Sequence, residues 1–345
     1  MRVVQLLPAR AANEVNSMLE RKALLDAGYD VRSVSSPYYG LRGIAWFSTI
    51  GARWARKLEP DIMVARDLDA LAAGVKVQKE TDCKLVYDVH EVYPWMIEDD
   101  VPRFVFNAAV KREQRLFMCA DAIIASNPGI IDWLNEQAPK DGIGIDDPIT
   151  LVANCRDPQP EFIPSLGQRQ LCYLGSLHKS RFIKEMVEAM RGIDGRLVVA
   201  GPRTAHSLYD WLKVGNLPPN VQFLGNITPE KAEFIMRESD IVVSMVDPTN
   251  KNNRIGLANK VFDAMSIGRA VIAPLGTANG NIVTNLQMGI TTMYDQDAFS
   301  EGVRVLLDGD DLVRLGKNAY DACKNGVWNW RTQAKKFVGV FDGLR

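Results

Sequence analysis

The sequence predicts an α/β protein made of two successive doubly wound, Rossmann-like domains. Three observations carry this expectation. Short apolar runs suited to buried parallel strands alternate with helical stretches along the whole chain. The alternation breaks once, at Asp157–Gly167, which contains Pro158, Pro160 and Pro164. A length of 345 residues lets each half bury its own core. The expected division is residues 1–160, residues 161–325 and a tail helix over 326–345.

Val3–Leu7 reads as the first strand and Pro8-Ala9-Arg10 as a turn. A helix follows from about Asn13 to Ala27, closed by Gly28, and Asp30–Ser35 is the next strand. Strand, helix, glycine, strand is one βαβ unit. The helix start near Asn13 presents backbone amides to a ligand. Leu41–Leu58 carries Arg42, Arg53, Arg56 and Lys57 with Trp46, Phe47, Ile50 and Trp54, and no acidic residue. Such a helix lies on an anionic membrane, or packs its apolar face on the sheet with Arg and Trp as a fringe. Asp61–Asp67 is a strand with a polar end, Leu68–Lys79 a helix and Lys84–Asp88 a buried strand.

Ligands of open α/β sheets collect beyond the carboxyl ends of the strands. His90 and Glu91 stand at such an end and are site candidates, with a structural histidine as the alternative. Asp67-Leu68-Asp69 spells a DxD of the kind that binds metal in some transferases. At a strand-to-helix junction it reads instead as an N-cap arrangement, and no metal is assigned. Arg103–Met118 and Pro128–Glu136 are helices, Ala122–Ala125 is a strand and Ile149–Ala153 closes the first sheet.

The second series starts at Gln170. Leu171–Leu174, Leu197–Ala200, Val221–Leu224 and Ile241–Val246 are strands, separated by helices Phe182–Met190, Ala205–Val214 and Pro229–Glu238. Asn253–Asn259 then reads as a polar loop, Lys260–Ile267 as a helix ended by Gly268 at C′, and Ala270–Ala273 as a buried strand. Gly289–Met293 is a last short strand. Asp297–Leu307, Asp311–Cys323 and a segment from Val327 to about Asp342 are helical. Lys260 in a first helical turn opposes the helix dipole, at a cost of roughly 0.3–1 kcal/mol. A bound anion reverses that sign. Asp263 shares a face with Lys260, so a surface Lys–Asp pair is the alternative. His178, Lys179 and Arg181 gather further positive charge after the strand at Tyr173, with solvated loop charges as the alternative.

Composition narrows the function. A net charge of −1 gives no argument for nucleic-acid binding. The five scattered cysteines lack CxxC spacing and read as reduced thiols of a cytoplasmic protein. Val3–Leu7 is too short for a signal-peptide core, and no apolar run reaches the roughly 20 residues a membrane span needs.

Four segments, in order, resemble nucleotide-sugar glycosyltransferases of family 4, which have the GT-B architecture: DLDALAAG, YDVHEVYP, YLGSLHKSR and GLANKVFDAM. The last is similar to the family's GLPNKLFEYM segment. The resemblance implies two lobes facing across a cleft, with the C-terminal helix crossing back to the first and Trp328 and Trp330 as its anchors. It implies that Lys260 and Arg181 contact the donor diphosphate, that Asp263 holds the nucleotide ribose, and that His90 approaches the transferring sugar with Glu91 beside it. Asn13, Gly175, Ser176, Gly201, Asn226, Gly256, Leu257 and Asn259 fall in its nucleotide-binding loops. Departures are Asp263 for the family's Glu, Ile255 for a second Glu, Ser176 for an Arg of some members, and Ala11-Ala12-Asn13 for a glycine-rich loop.

The implied activity is transfer of a sugar from a nucleotide-diphosphate sugar to a glycan or lipid-linked acceptor, with retention, without metal or other cofactor, and with no nucleic-acid partner. The expected location is cytoplasmic, peripheral at the inner face of a membrane through Leu41–Leu58. A sugar-nucleotide 2-epimerase of the same fold and an inactive nucleotide-binding subunit are the alternatives.

Overall fold

A computed structural model describes the chain except residues 10, 12, 13, 39, 99, 139–148, 205 and 216, and the side chain of residue 41. The predicted ligand contact at Asn13 therefore lies outside the described residues. The chain divides into two compact units, residues 1–154 with 331–345, and residues 155–330. The sequence placed these boundaries at 160 and 325. The proline-rich segment goes with the second unit because its backbone is tied there: Gln159 N donates to Ser266 O at 2.9 Å, and Tyr320 Oη to Gln159 O at 2.8 Å.

The first unit holds a six-stranded parallel sheet. Its strands are β1 (Arg2–Leu7), β2 (Asp30–Ser35), β3 (Ile62–Arg66), β4 (Lys84–Val89), β5 (Ala122–Ala125) and β6 (Thr150–Leu151), in the order β2-β1-β3-β4-β5-β6. β1, β3, β4 and β5 are apolar almost throughout, as strands covered on both faces must be. The first helix is Val15–Asp26. Residues 40–57 form a continuous helical run, Gly40–Trp46, a π-helical turn Phe47–Gly51, and Ala52–Lys57. The last helix, Trp330–Asp342, returns to this unit. There Phe337 and Phe341 are fully buried, Gln333 Oε1 accepts the Ala153 amide at 3.0 Å, and Tyr29 Oη donates to Asp342 at 2.8 Å.

The second unit holds β7 (Gln170–Leu174), β8 (Arg196–Ala200), β9 (Val221–Phe223), β10 (Ile241–Val243), β11 (Ala270–Pro274) and β12 (Gly289–Thr292), ordered β12-β11-β10-β7-β8-β9, all parallel. The chain reverses direction across the sheet between β7 and β10. That reversal point, at the carboxyl ends of the strands, is where open α/β sheets bind ligands.

The expected loop over Asn253–Asn259 is partly wrong. Lys251–Ile255 is a short helix capped by Asn250, whose side chain accepts the Asn253 amide at 3.0 Å. The following helix runs Asn259–Ile267 and ends at Gly268 with φ +70°. All five cysteines are free thiols, four of them buried. Among the described residues no helix is long and apolar enough to cross a membrane.

Candidate functional site

In the second unit, the loops after β7, β8 and β9 are laced at their tips. Gly175 N donates to Ala200 O at 2.9 Å, and Gly201 N to Gly225 O at 2.8 Å. Gly175 has φ +148°, and a Cβ on Gly201 would come 1.7 Å from the Gly175 carbonyl oxygen. No side chain fits there, which brings backbone to backbone and leaves a shallow bed at the sheet edge. Ser176 Oγ meets Thr204 Oγ1 at 3.1 Å, joining the first two loops, and Ser176 O accepts from Tyr173 Oη at 2.7 Å. Asn226 follows Gly225 in the third loop and is exposed.

Lys260 enters this bed from the other side of the reversal point. Its helix has no side-chain cap at Ala258, and the Val261 amide donates to Ala258 O at 2.9 Å. Gly256 ends the preceding short helix, Leu257 follows, and Asn259 is exposed at the first helical position. The Lys260 ammonium lies 3.6 Å from the centroid of the Tyr173 ring, and a Cβ on Gly175 would be 3.5 Å from it. Burial first, then repulsion from Arg181, pushes the Lys260 pKa down to about 7. Arg181 closes the short helical turn Lys179–Arg181, whose N-cap is His178. Among the described residues neither Lys260 nor Arg181 has a carboxylate within ion-pair distance. The repulsion between these two cations is of the kind that a bound anion offsets.

The Lys260–Asp263 pair that spacing allowed does not form. Asp263 instead accepts from Arg156 Nε at 3.1 Å. Its pKa is raised, burial outweighing the pull of Arg156 and Lys260. Nothing local in the sequence marks Arg156 as its partner. Tyr173, the platform under Lys260, was also missed, although it opens the YLGSLHKSR segment. Trp328 stacks on Phe262 of the same helix, with centroids 5.7 Å apart and planes at 28°, and Trp330 is buried.

In the first unit, His90 and Glu91 follow β4 as predicted from the sequence. Their amides both donate to Asp67 Oδ1, at 2.8 and 3.3 Å. This corrects the N-cap reading of the DxD. Asp67 has φ +55°, its helix is capped by Arg66 backbone, and its carboxylate clamps the loop after the neighbouring strand. The His90 ring is fully engaged within the unit. Nε2–H donates to Asp88 Oδ1 at 3.1 Å, and Nδ1 accepts from Asn154 Nδ2 at 3.4 Å.

Behind His90 lies a buried charge network. Arg66 donates to Asp88 Oδ2 from Nε at 3.0 Å and Nη2 at 2.8 Å, to Ser17 Oγ at 2.6 Å, and to Glu20. Burial raises Glu20 to about 7 against the pull of Arg66. Burial and Arg66 press His90 down, but Asp88 and Glu20 outweigh them, and its pKa ends above the ordinary value. Glu20, Asp88 and His90 place ligand-type atoms within 4.8 Å of one another. Arg66 already occupies the cation position between both carboxylates, so this donor set does not fit a metal ion.

Residues 168–309 match the family model for glycosyl transferases group 1. The match lies within the second unit. A search of curated proteins finds no significant match. Among solved structures, sucrose-phosphate synthase from Thermosynechococcus elongatus is similar over 100% of this chain and 99% of its own, with TM-score 0.78 and 15% identity. A glycosyltransferase from Rickettsia africae is similar over 99% and 98%, with TM-score 0.72 and 15% identity. HepE of Anabaena, in complex with UDP-glucose, is similar over 99% and 100%, with TM-score 0.75 and 12% identity. The fold is therefore GT-B, and Lys260 and Arg181 both belong to the unit that carries the family match.

Proposed function

We propose that this protein is a glycosyltransferase that moves a sugar from a nucleoside-diphosphate sugar to a hydroxyl of a glycan or lipid-linked acceptor, with retention of configuration. The observation that carries this is the unmatched cation pair Lys260–Arg181 beside an uncapped helix start. The complex of the similar HepE with UDP-glucose supports a donor of this class.

Breaking the sugar–phosphate bond leaves negative charge on the diphosphate and an oxocarbenium-like sugar. Donors fixed in advance around that charge are worth roughly 3–4 kcal/mol each in the transition state. Arg181 supplies a planar fork and Lys260 a point charge. A diphosphate also restores the Lys260 proton that burial disfavours. Attack then comes from the face the diphosphate leaves, and a donor phosphate oxygen accepts the acceptor's proton. Asp263, held by Arg156, takes a ribose hydroxyl. His90 has both ring nitrogens in use, so we assign it to positioning the loop that carries Glu91 and not to proton transfer.

The test is a thermal-shift screen of UDP, GDP, ADP, TDP and CMP, followed by incubation with the matching sugar nucleotides. A ligand that binds only the folded form raises its melting point. Free nucleoside diphosphate with a glycosylated acceptor supports the proposal. An isomerised donor would identify an epimerase, and an unchanged donor despite binding would identify an inactive subunit.

A further inference from the structure

The helical run over residues 40–57 has two unlike faces. Phe47, Gly51, Ala52 and Ala55 are buried, and the π-helical turn and Ala52–Lys57 pack on helix Asp67–Thr81. On the outer face Ile50 is 46% exposed and Trp54 59% exposed. Trp46 meets Trp54 edge-on, with ring centroids 6.4 Å apart, so the outer ridge is propped from beneath. Thr49, Ile50, Arg53, Trp54 and Lys57 line an open groove of about 510 Å³. The packing reading offered by the sequence holds for the buried face.

The charge on this face has one sign. Arg53 and Lys57 are exposed and have no acidic partner among the described residues, whereas Arg56 turns to the flank and pairs with Glu80 at 2.8 Å. Residues 40–58 contain no acidic side chain to offset them. Tryptophan prefers the level of lipid headgroups, and basic residues beside it meet lipid phosphates. We propose that this face docks on an anionic bilayer surface, with Trp54 and Ile50 entering the headgroup layer and Arg53 and Lys57 against phosphates. The proposal does not rest on the transfer reaction.

The test is co-sedimentation of the full chain with vesicles of phosphatidylcholine alone and of phosphatidylcholine with phosphatidylglycerol. Binding is expected only to the vesicles with phosphatidylglycerol and is released by salt. The R53Q/K57Q variant should bind about thirtyfold more weakly, the loss expected for two surface cations. The I50S/W54S variant keeps every charge and should also lose binding. Because all four side chains are exposed, both variants should keep the wild-type melting point. Absence of binding at low salt would overturn the proposal. So would unchanged binding by I50S/W54S, which would reduce the contact to charge adsorption. A wild-type dimer that I50S/W54S abolishes in sedimentation velocity would assign the face to a second copy and overturn it too.

Discussion

The Lys260 ammonium sits 3.6 Å from the centre of the Tyr173 ring, with the Gly175 backbone beside it and, among the described residues, no carboxylate within ion-pair distance. A tyrosine face offsets only part of the cost of burying a cation, about 0.5–2 kcal/mol. The remainder appears as the depressed pKa of about 7. A bound diphosphate raises that pKa, so binding near neutrality takes up a proton.

Affinity for the nucleoside diphosphate should therefore be full below about pH 7 and weaken by up to about tenfold per pH unit above it. The loss continues until the pH passes the pKa of the complex. Calorimetric titration across pH measures this directly. Lys260→Gln should bind more weakly and lose the slope; a slope that persists in this variant would remove Lys260 from the diphosphate.

Replacing Lys260 or Arg181 with Ala should each lower turnover by about 10²–10³. Stability should respond in the opposite sense. An ionised Lys260 without a partner opposes folding, so Lys260→Met should hold or raise the melting temperature at neutral pH. Parallel loss of melting temperature and activity would mean that the two cations serve the fold.

Arg156 fixes the carboxylate of Asp263 from one side. Arg156→Gln should weaken nucleotide binding by about tenfold, the loss expected for one charge-assisted contact. It should also narrow the preference for the ribonucleotide over its 2′-deoxy and 3′-deoxy analogues. Asp263→Asn should do the same. Equal losses for all three sugars would place Asp263 away from the ribose.

Glu113 is fully buried, receives a hydrogen bond from Tyr87 Oη at 2.7 Å on one oxygen, and has no hydrogen-bond partner among the described residues on the other. Burial raises its pKa to about 8. The folded form thus holds a proton that the unfolded chain releases near its ordinary 4.5. The stability this contributes is complete below about pH 4.5 and lost as pH rises through about 8. Glu113→Gln should flatten the fall in melting temperature across that window, read by calorimetry. An unchanged profile would mean that Glu113 does not titrate there.

The parts of the molecule visible in the sequence are those written locally. The strands announce themselves as apolar runs, and the helix behind Lys260 by its periodicity and Gly268. The place of Lys260 at a strand end follows from that alternation. Pairings across the chain are not written this way. Glu20 lies 46 residues from Arg66, and Asn154 lies 64 from His90. No spacing rule joins them, because the sheet brings them together only after it forms. Asp67 was misread for the same reason, since the amides it serves come from the loop after β4. The helix Lys251–Ile255 did carry a local signal in Asn250. The run of polar residues after it hid that cap.

The first unit cannot be finished from the first 154 residues alone. The Ala153 amide waits for Gln333, and Tyr29 for Asp342. During synthesis, the second unit emerges as one uninterrupted stretch. The earlier-made half must hold an open seam until the ribosome delivers the final helix. A chain halted before that point would expose the surface meant for Phe337 and Phe341, and so offer chaperones a site that the folded protein lacks.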